Sequence, residues 1–291
     1  MTSLKVAVAQ YDLGFFDHWD DYAAKLERWI STAAAEDAEL LVFPEYGSLE
    51  LASLFGKAVY GDLHAQLQAL QTLYRDVQAL HIDLARRYNR IILGASFPVR
   101  EDDGGFRNRA TLFGPEGILG FQDKLIMTRF EHERWNIGPG RDVRVIPTDL
   151  GKIGINICYD SEFPLIAHQQ VRAGADLILV PSCTDTLAGF NRVRVGCRAR
   201  ALENQCYVVQ SPTVGPASWS EAVDTNIGRA GVYTPIDVGF TPDGVLNQGE
   251  ENESQWLFAP LELSKTHRVR SEGQVLNYRD WDRQKGLNPV L

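Results

Sequence analysis

Residues 154–164, GINICYDSEFP, run from an apolar segment into a cysteine and then directly into charge. Cysteine often serves as a small buried hydrophobe, inert in that role. Cys158 invites a different reading because two other polar residues close apolar runs in the same manner. Glu45 ends LLVFPE, and Lys124 ends GFQDK. Taken singly, the first is a strand-end carboxylate and the second a surface lysine. Together with a thiol they form a set for nucleophilic attack on a carbonyl. A thiol with a pKa of about 8.5 is mostly protonated at neutral pH and needs a base. Glu45 can take that proton, and a helix opening at 161–164 adds the positive end of its dipole. The oxyanion formed by attack needs donors, which the Lys124 ammonium and the backbone N–H of Tyr159 can supply.

These residues need strands and helix starts to hold them, and the pattern provides both. Short apolar runs alternate with longer helical patterns, as in an α/β protein. Strands are read at 4–10, 38–45 and 90–96, and helices at 20–37 and within 62–89. The run 109–124 is two strands about the turn GPEG, a hairpin signal. The second half restarts the first. Strand 151–160, helix 162–174, strand 175–182, helix 191–205 and strand 206–212 follow in order. AELLVFPE and ADLILVPS have the same spelling of Ala, acid, Leu, aliphatic run and Pro. Two similar strand–helix–strand units imply two similar layers packed face to face. In such layers functional residues gather beyond the carboxyl ends of strands. Regular patterning fades after about residue 240. The chain 1–291 is read as one domain with an irregular C-terminal tail from about 260.

Composition limits the function. The 291 residues are 44% hydrophobic and 23% charged, with a formal net charge of −9. That charge argues against nucleic acid or an anionic membrane as partner. No apolar run reaches the ~20 residues of a membrane span. The start MTSLKVAVAQ turns polar at Gln10, too soon for a signal peptide. Cysteines at 158, 183, 197 and 206 form no C-x-x-C pair, so a reducing cytoplasm is expected, without zinc or disulfides. Cys197 and Cys206 read as core. Cys183 ends the echo strand and is a candidate for the pocket wall. A cysteine–histidine pair would need His132 or His168, and His168 lies two turns into the following helix. No metal and no cofactor are expected.

LLVFPEY, GFQDKLIMTRFEHERW and GINICYDSEFP resemble the corresponding motifs of the nitrilase superfamily of carbon–nitrogen hydrolases. RARALENQCYVV (198–209) is similar to the segment that follows them there. The resemblance, over about residues 4–260, implies a four-layer α-β-β-α sandwich and a catalytic Glu45, Lys124 and Cys158. It further implies oligomers built on dimers and a second glutamate after the lysine. Glu131 matches that position best, with Glu133 the alternative in the same run. Trp135, Tyr159, Cys183 and Glu162 are the candidates for oxyanion and substrate contacts.

The expected reaction is hydrolysis of a small linear amide through a cysteine thioester, giving acid plus ammonia or amine. Tyr159-Asp160 after the cysteine resembles amidases of the superfamily, where nitrilases proper tend to have Trp-Glu. Nitrile hydrolysis and a non-catalytic relative that binds an amide or a partner protein are the alternatives. Members acting on acidic amides often carry Arg four residues after the cysteine; Glu162 stands there instead. Arg129, Arg192 or Arg194 can replace that anchor. Otherwise Glu162 is expected to disfavour anionic substrates.

Overall fold

The computed structural model describes residues 3–287. Its first half forms one sheet with helices on its outer face. β1 (Leu4–Asp12), β2 (Leu40–Val42) and β3 (Ile91–Leu93) lie side by side and parallel. β4 (Phe97–Arg100) and β6 (Gly117–Asp123) pair antiparallel with β5 (Phe106–Gly114), and β5 pairs with β3. The two-residue β7 (Ile137–Gly138) runs beside the start of β5. The helices of this half are α1 (Trp19–Ala35), α2 (Lys57–Tyr60), α3 (Leu63–Leu70) and α4 (Tyr74–Tyr88).

The second half builds a second sheet. β8 (Val145–Thr148) is antiparallel to β9 (Gly151–Ile155), and β9, β10 (Leu177–Ser182) and β11 (Tyr207–Pro216) run parallel in that order. α5 (Pro164–Arg172) and α6 (Leu187–Asn204) connect them. The short β12 (Thr225–Asn226) and β13 (Gly231–Tyr233) pair with β11, and β14 (Val245–Gln248) pairs with β13. β15 (Gln255–Leu261) then returns to the first sheet, antiparallel to β1. The sheets join where the end of β1 meets β11, Tyr11 opposite Thr213 and Asp12 opposite Val214.

Strand alternation separates the layers. Leu4, Val6 and Val8 of β1 and Leu40 and Val42 of β2 share a buried cluster with Ile153, Ile155, Leu177 and Leu179 of the second sheet. Ala7, Ala9, Tyr11, Leu41 and Phe43 point the other way, against Tyr22, Leu26 and Ile30 of α1 and Val77 and Leu84 of α4. Each such aliphatic side chain contributes about 1.5–3 kcal/mol on burial. The result is the α-β-β-α sandwich expected from the twofold echo.

Two expectations need correction. The helical stretch within 62–89 is interrupted by a 3-10 turn at Gln71–Leu73. The tail from about 260 is not irregular: β15 reaches Leu261, and α7 (Leu263–Glu272) and the short α8 (Asn277–Asp280) follow. Pro260 made QWLFAPL look broken, yet proline is tolerated on an edge strand. In the first sheet β15 pairs with β1 alone, Pro260 opposite Lys5.

Candidate active site

Four strand ends deliver the site. The chain leaves β2 through Phe43, whose N–H donates to the Leu93 carbonyl at 2.9 Å, and Pro44, whose carbonyl accepts from Ser96 N–H at 3.1 Å. Glu45 follows, and Tyr46 then adopts a left-handed φ of 54° with its N–H on Ser96 Oγ at 2.9 Å. Lys124 extends the β5–β6 ladder by one step. Asp123 is opposite Arg109, and Lys124 N–H donates to the Asn108 carbonyl at 2.8 Å. Beyond β9, Asn156 N–H still pairs with Leu179 at 2.9 Å. The backbone then turns sharply at Cys158, whose φ is 49°. A non-glycine residue in that region costs of order 1–3 kcal/mol. The turn is closed by Ser161 Oγ on the Cys158 carbonyl at 2.6 Å. It is braced by α6, where Arg200 donates to the Ser161 carbonyl at 2.9 Å.

These ends bring Glu45, Lys124, Glu131 and Cys158 together, each no more than 4% exposed. Lys124 Nζ donates to Glu45 Oε1 at 2.8 Å and to Glu131 Oε2 at 2.7 Å. Asn108 Nδ2 donates to Glu45 Oε1 at 2.9 Å and to Glu131 Oε1 at 3.5 Å. Glu131 also accepts from Tyr46 Oη at 2.8 Å and from Thr128 N–H and Oγ1 at 2.9 and 2.8 Å. The second oxygen of Glu45 accepts the Cys183 N–H at 2.9 Å, which ties the first sheet to the end of β10. The Cys158 thiol lies 3.7 Å from the Cys183 carbonyl and is hydrogen-bonded to Glu45.

The electrostatics separate the two carboxylates. Burial pushes Glu45 up, and the Glu131 charge adds to that against the pull of Lys124. Burial acts on Glu131 too, but Lys124 and the bonds from Thr128 and Tyr46 outweigh it and hold that carboxyl below its ordinary value. Burial disfavours the Lys124 ammonium, yet the two glutamates keep it firmly charged. Burial and then the Glu45 charge raise the Cys158 thiol well above its ordinary value, so it rests neutral. Divergent pKa values in one pocket mark different duties. Glu45 is suited to exchange protons, whereas Glu131 is a standing anion that keeps Lys124 charged.

The other candidates are placed as follows. Glu133 lies on the surface, paired with Arg129 at 2.7 Å, so Glu131 is the carboxylate that meets Lys124. Trp135 ends a single π-type turn, Glu131–Trp135. It is buried behind Tyr46, with its indole N–H spent on the Leu63 carbonyl at 2.9 Å. Tyr159 heads the short helix Cys158–Glu162, its ring edge-on to Phe163. Glu162 faces Arg192 at 3.6 Å, and Arg194 lies by Tyr233. Cys183 contributes through its backbone. Its thiol points to Asn226 Oδ1 at 3.3 Å and is pushed up to about 12, by burial first and then by Glu45. His168 stacks on Trp281 at 4.0 Å and His132 is exposed, so neither stands as a base for Cys158. Cys197 and Cys206 are buried in the core.

Sequence reasoning missed Asn108, Tyr46, Thr128 and Asp160. Asn108 had a signal, a lone amide amid the apolar strand residues of β5, where a buried polar group needs partners. Asp160 accepts Ile126 N–H at 2.8 Å, Leu125 N–H at 3.1 Å and Ile157 N–H at 3.2 Å.

Comparison with known proteins agrees with this geometry. The pattern of the family described as Carbon-nitrogen hydrolase matches residues 5–241. The chain belongs to that family. It is similar to the probable hydrolase YhcX of Bacillus subtilis, 34% identical over 277 residues, covering 95% of this chain and 53% of that protein's length. It is also similar to the omega-amidase NIT2 of Danio rerio, 25% identical over 288 residues, with 96% and 95% of the two chains covered. The fold matches that of Saccharomyces cerevisiae Nit3, a member of branch 10 of the nitrilase superfamily. The TM-score is 0.74 at 22% identity, over 92% of this chain and 93% of that one. An amidase from Nesterenkonia matches with a TM-score of 0.70 at 20% identity, over 96% and 99% of the chains. The member of the carbon–nitrogen hydrolase family described here is therefore a hydrolase with the nitrilase-superfamily fold. Among the described residues no helix is long and apolar enough to cross a membrane.

Proposed function

We propose that the protein hydrolyses a small linear amide through a thioester on Cys158. The observation that carries this reading is the buried Lys124 ammonium, bonded to two carboxylates, one of which meets the thiol. Glu45 takes the thiol proton as sulfur attacks the carbonyl carbon. Lys124 and the Tyr159 N–H stabilise the oxyanion, donors typically worth about 3–4 kcal/mol each. Glu45 returns the proton to the departing nitrogen, and ammonia or amine leaves. Water then gives Glu45 a proton and attacks the thioester, and the proton restores the thiol as the acid departs.

Relatives support the amide reading over the nitrile one. Several similar proteins are omega-amidases, and the Nesterenkonia amidase carries covalent additions of acrylamide and of the acetamide moiety of fluoroacetamide at its active-site cysteine. Mass spectrometry of the wild type or Glu45→Gln with a slow amide substrate should show an acyl adduct on Cys158. Near wild-type turnover in Cys158→Ala would refute the mechanism.

Substrate charge turns on Glu162. Its ion pair with Arg192 offsets the negative charge, which weakens the expected repulsion of acidic amides. With that offset, neutral amides remain the proposed class. Comparing matched neutral and acidic amides in the wild type and Arg192→Ala checks this. A wild type that prefers the acid, and loses the preference with Arg192, makes Arg192 the anchor and overturns it.

We further read the chain as a single domain, because β1 belongs to both sheets, and as a homodimer or higher oligomer. Leu165 and Val195, 60% and 63% exposed on α5 and α6, support the latter. Four free thiols fit a cytoplasmic setting.

A further inference from the structure

The reading of Cys158 as nucleophile leaves one buried acid without a duty. Asp160 is 0% exposed, and among the described residues its oxygens are matched to backbone N–H groups and to no side-chain cation. Oδ1 accepts from Ile126 at 2.8 Å and from Leu125 at 3.1 Å. Oδ2 accepts from Leu125 at 3.2 Å and from Ile157 at 3.2 Å. Leu125 directly follows Lys124, and Ile157 directly precedes Cys158. We infer that Asp160 is a positioning residue, whose carboxylate clamps the loop carrying Lys124 to the turn carrying Cys158. The inference rests on the proposed thioester chemistry.

A local cap would account for the bond to Ile157 and no more. The bonds to Leu125 and Ile126 cross 35 and 34 residues of sequence and join strand ends from different sheets. Three donors converging on one side chain require two acceptor oxygens, which a carboxylate has and an amide lacks. An asparagine in this place keeps one oxygen and turns an NH2 toward the remaining donors. Either the lysine side or the cysteine side of the clamp then opens. Burial of the acid is costly and pushes its carboxyl up to about 7, against the pull of Lys124. A fold that needed only a cap would be served by a neutral residue. Cys158 gives the clamp a purpose, because its left-handed φ must be held by its surroundings. Displacements of order 1 Å at a reacting group cost about 100-fold in rate.

The test is alkylation of Cys158 by iodoacetamide at neutral pH, which needs no knowledge of the natural substrate. Saturation kinetics are measured for the wild type, Asp160→Asn and Cys158→Ala, with modification at Cys158 followed by mass spectrometry. The limiting rate should fall at least tenfold in Asp160→Asn while half-saturation stays within about threefold. A purely structural loss would move both or lower the folded fraction, which melting curves read separately. An unchanged limiting rate in Asp160→Asn overturns the inference and leaves the thioester reading standing. Wild-type Cys158 reacting no faster than a free thiol overturns the thioester reading first and this one with it. Should Asp160→Asn fail to fold, hydrogen exchange in the wild type decides. The amides of Leu125, Ile126 and Ile157 should be protected and open together, and exchange at unprotected rates refutes the clamp.

Discussion

Glu131→Gln removes one of the two negative charges beside Lys124 with almost no change of volume. The Lys124 Nζ–Glu131 Oε2 distance of 2.7 Å corresponds to a Coulomb energy of about 6 kcal/mol at an effective dielectric near 20. Removing one partner of a buried pair costs about 3–5 kcal/mol in practice. Glu45 remains at 2.8 Å and must hold the ammonium alone. Its basicity falls with that, since burial and then the Glu131 charge are what raise its carboxyl. A barrier higher by about 3 kcal/mol lowers kcat roughly 100-fold. The pH dependence has a definite sign. Glu45 must be ionised to accept the thiol proton, and without the Glu131 charge it ionises at lower pH. The acid limb of kcat/KM should therefore move to lower pH. Stability changes too. Glu131 sits below its ordinary pKa when folded, so it stabilises the fold above the unfolded value and loses that contribution as pH falls through the folded one. The melting-temperature gap between wild type and Glu131→Gln should thus narrow toward acid. The assay is ammonia release from one neutral amide across pH, with Glu133→Gln as control, expected within twofold of wild type. A kcat within threefold of wild type, or an acid limb that moves up, refutes the reasoning.

Two other substitutions probe the same frame. Lys124→Ala should depress kcat far more than it raises KM, since the ammonium acts on charge that develops in the transition state; an effect confined to KM in steady-state kinetics removes it from the chemistry. Gly196→Ala would place a Cβ 2.7 Å from the Ser161 carbonyl oxygen, pressing α6 onto the cysteine turn. Such overpacking costs about 1–3 kcal/mol, so the melting temperature should fall by several degrees and Cys158 alkylation should slow, whereas an unchanged melting curve shows that the turn yields freely.

The sequence by itself carried the layer architecture and the residue types of the site. Both leave local marks. Buried strands are written as aliphatic runs, and the runs ending at 45, 124 and 158 stop on polar residues at the places where strands stop. The repeat of AELLVFPE in ADLILVPS already implied two like sheets, and β2 and β10 are those strands. The last strand was hidden by Pro260, because the edge position that makes proline harmless is a property of pairing with β1. Partnership had no local mark either. FEHERW offers two glutamates two residues apart, and only the π-type turn at Glu131–Trp135 sends one to Lys124 and leaves the other with Arg129. Asn108 and Asp160 act across 63, 23 and 35 residues of chain, through register and a tight turn. Residue type and strand periodicity are local properties and can be read along the chain. Which carboxylate meets the ammonium, and which backbone N–H meets a buried acid, depends on distances between segments that only packing brings together.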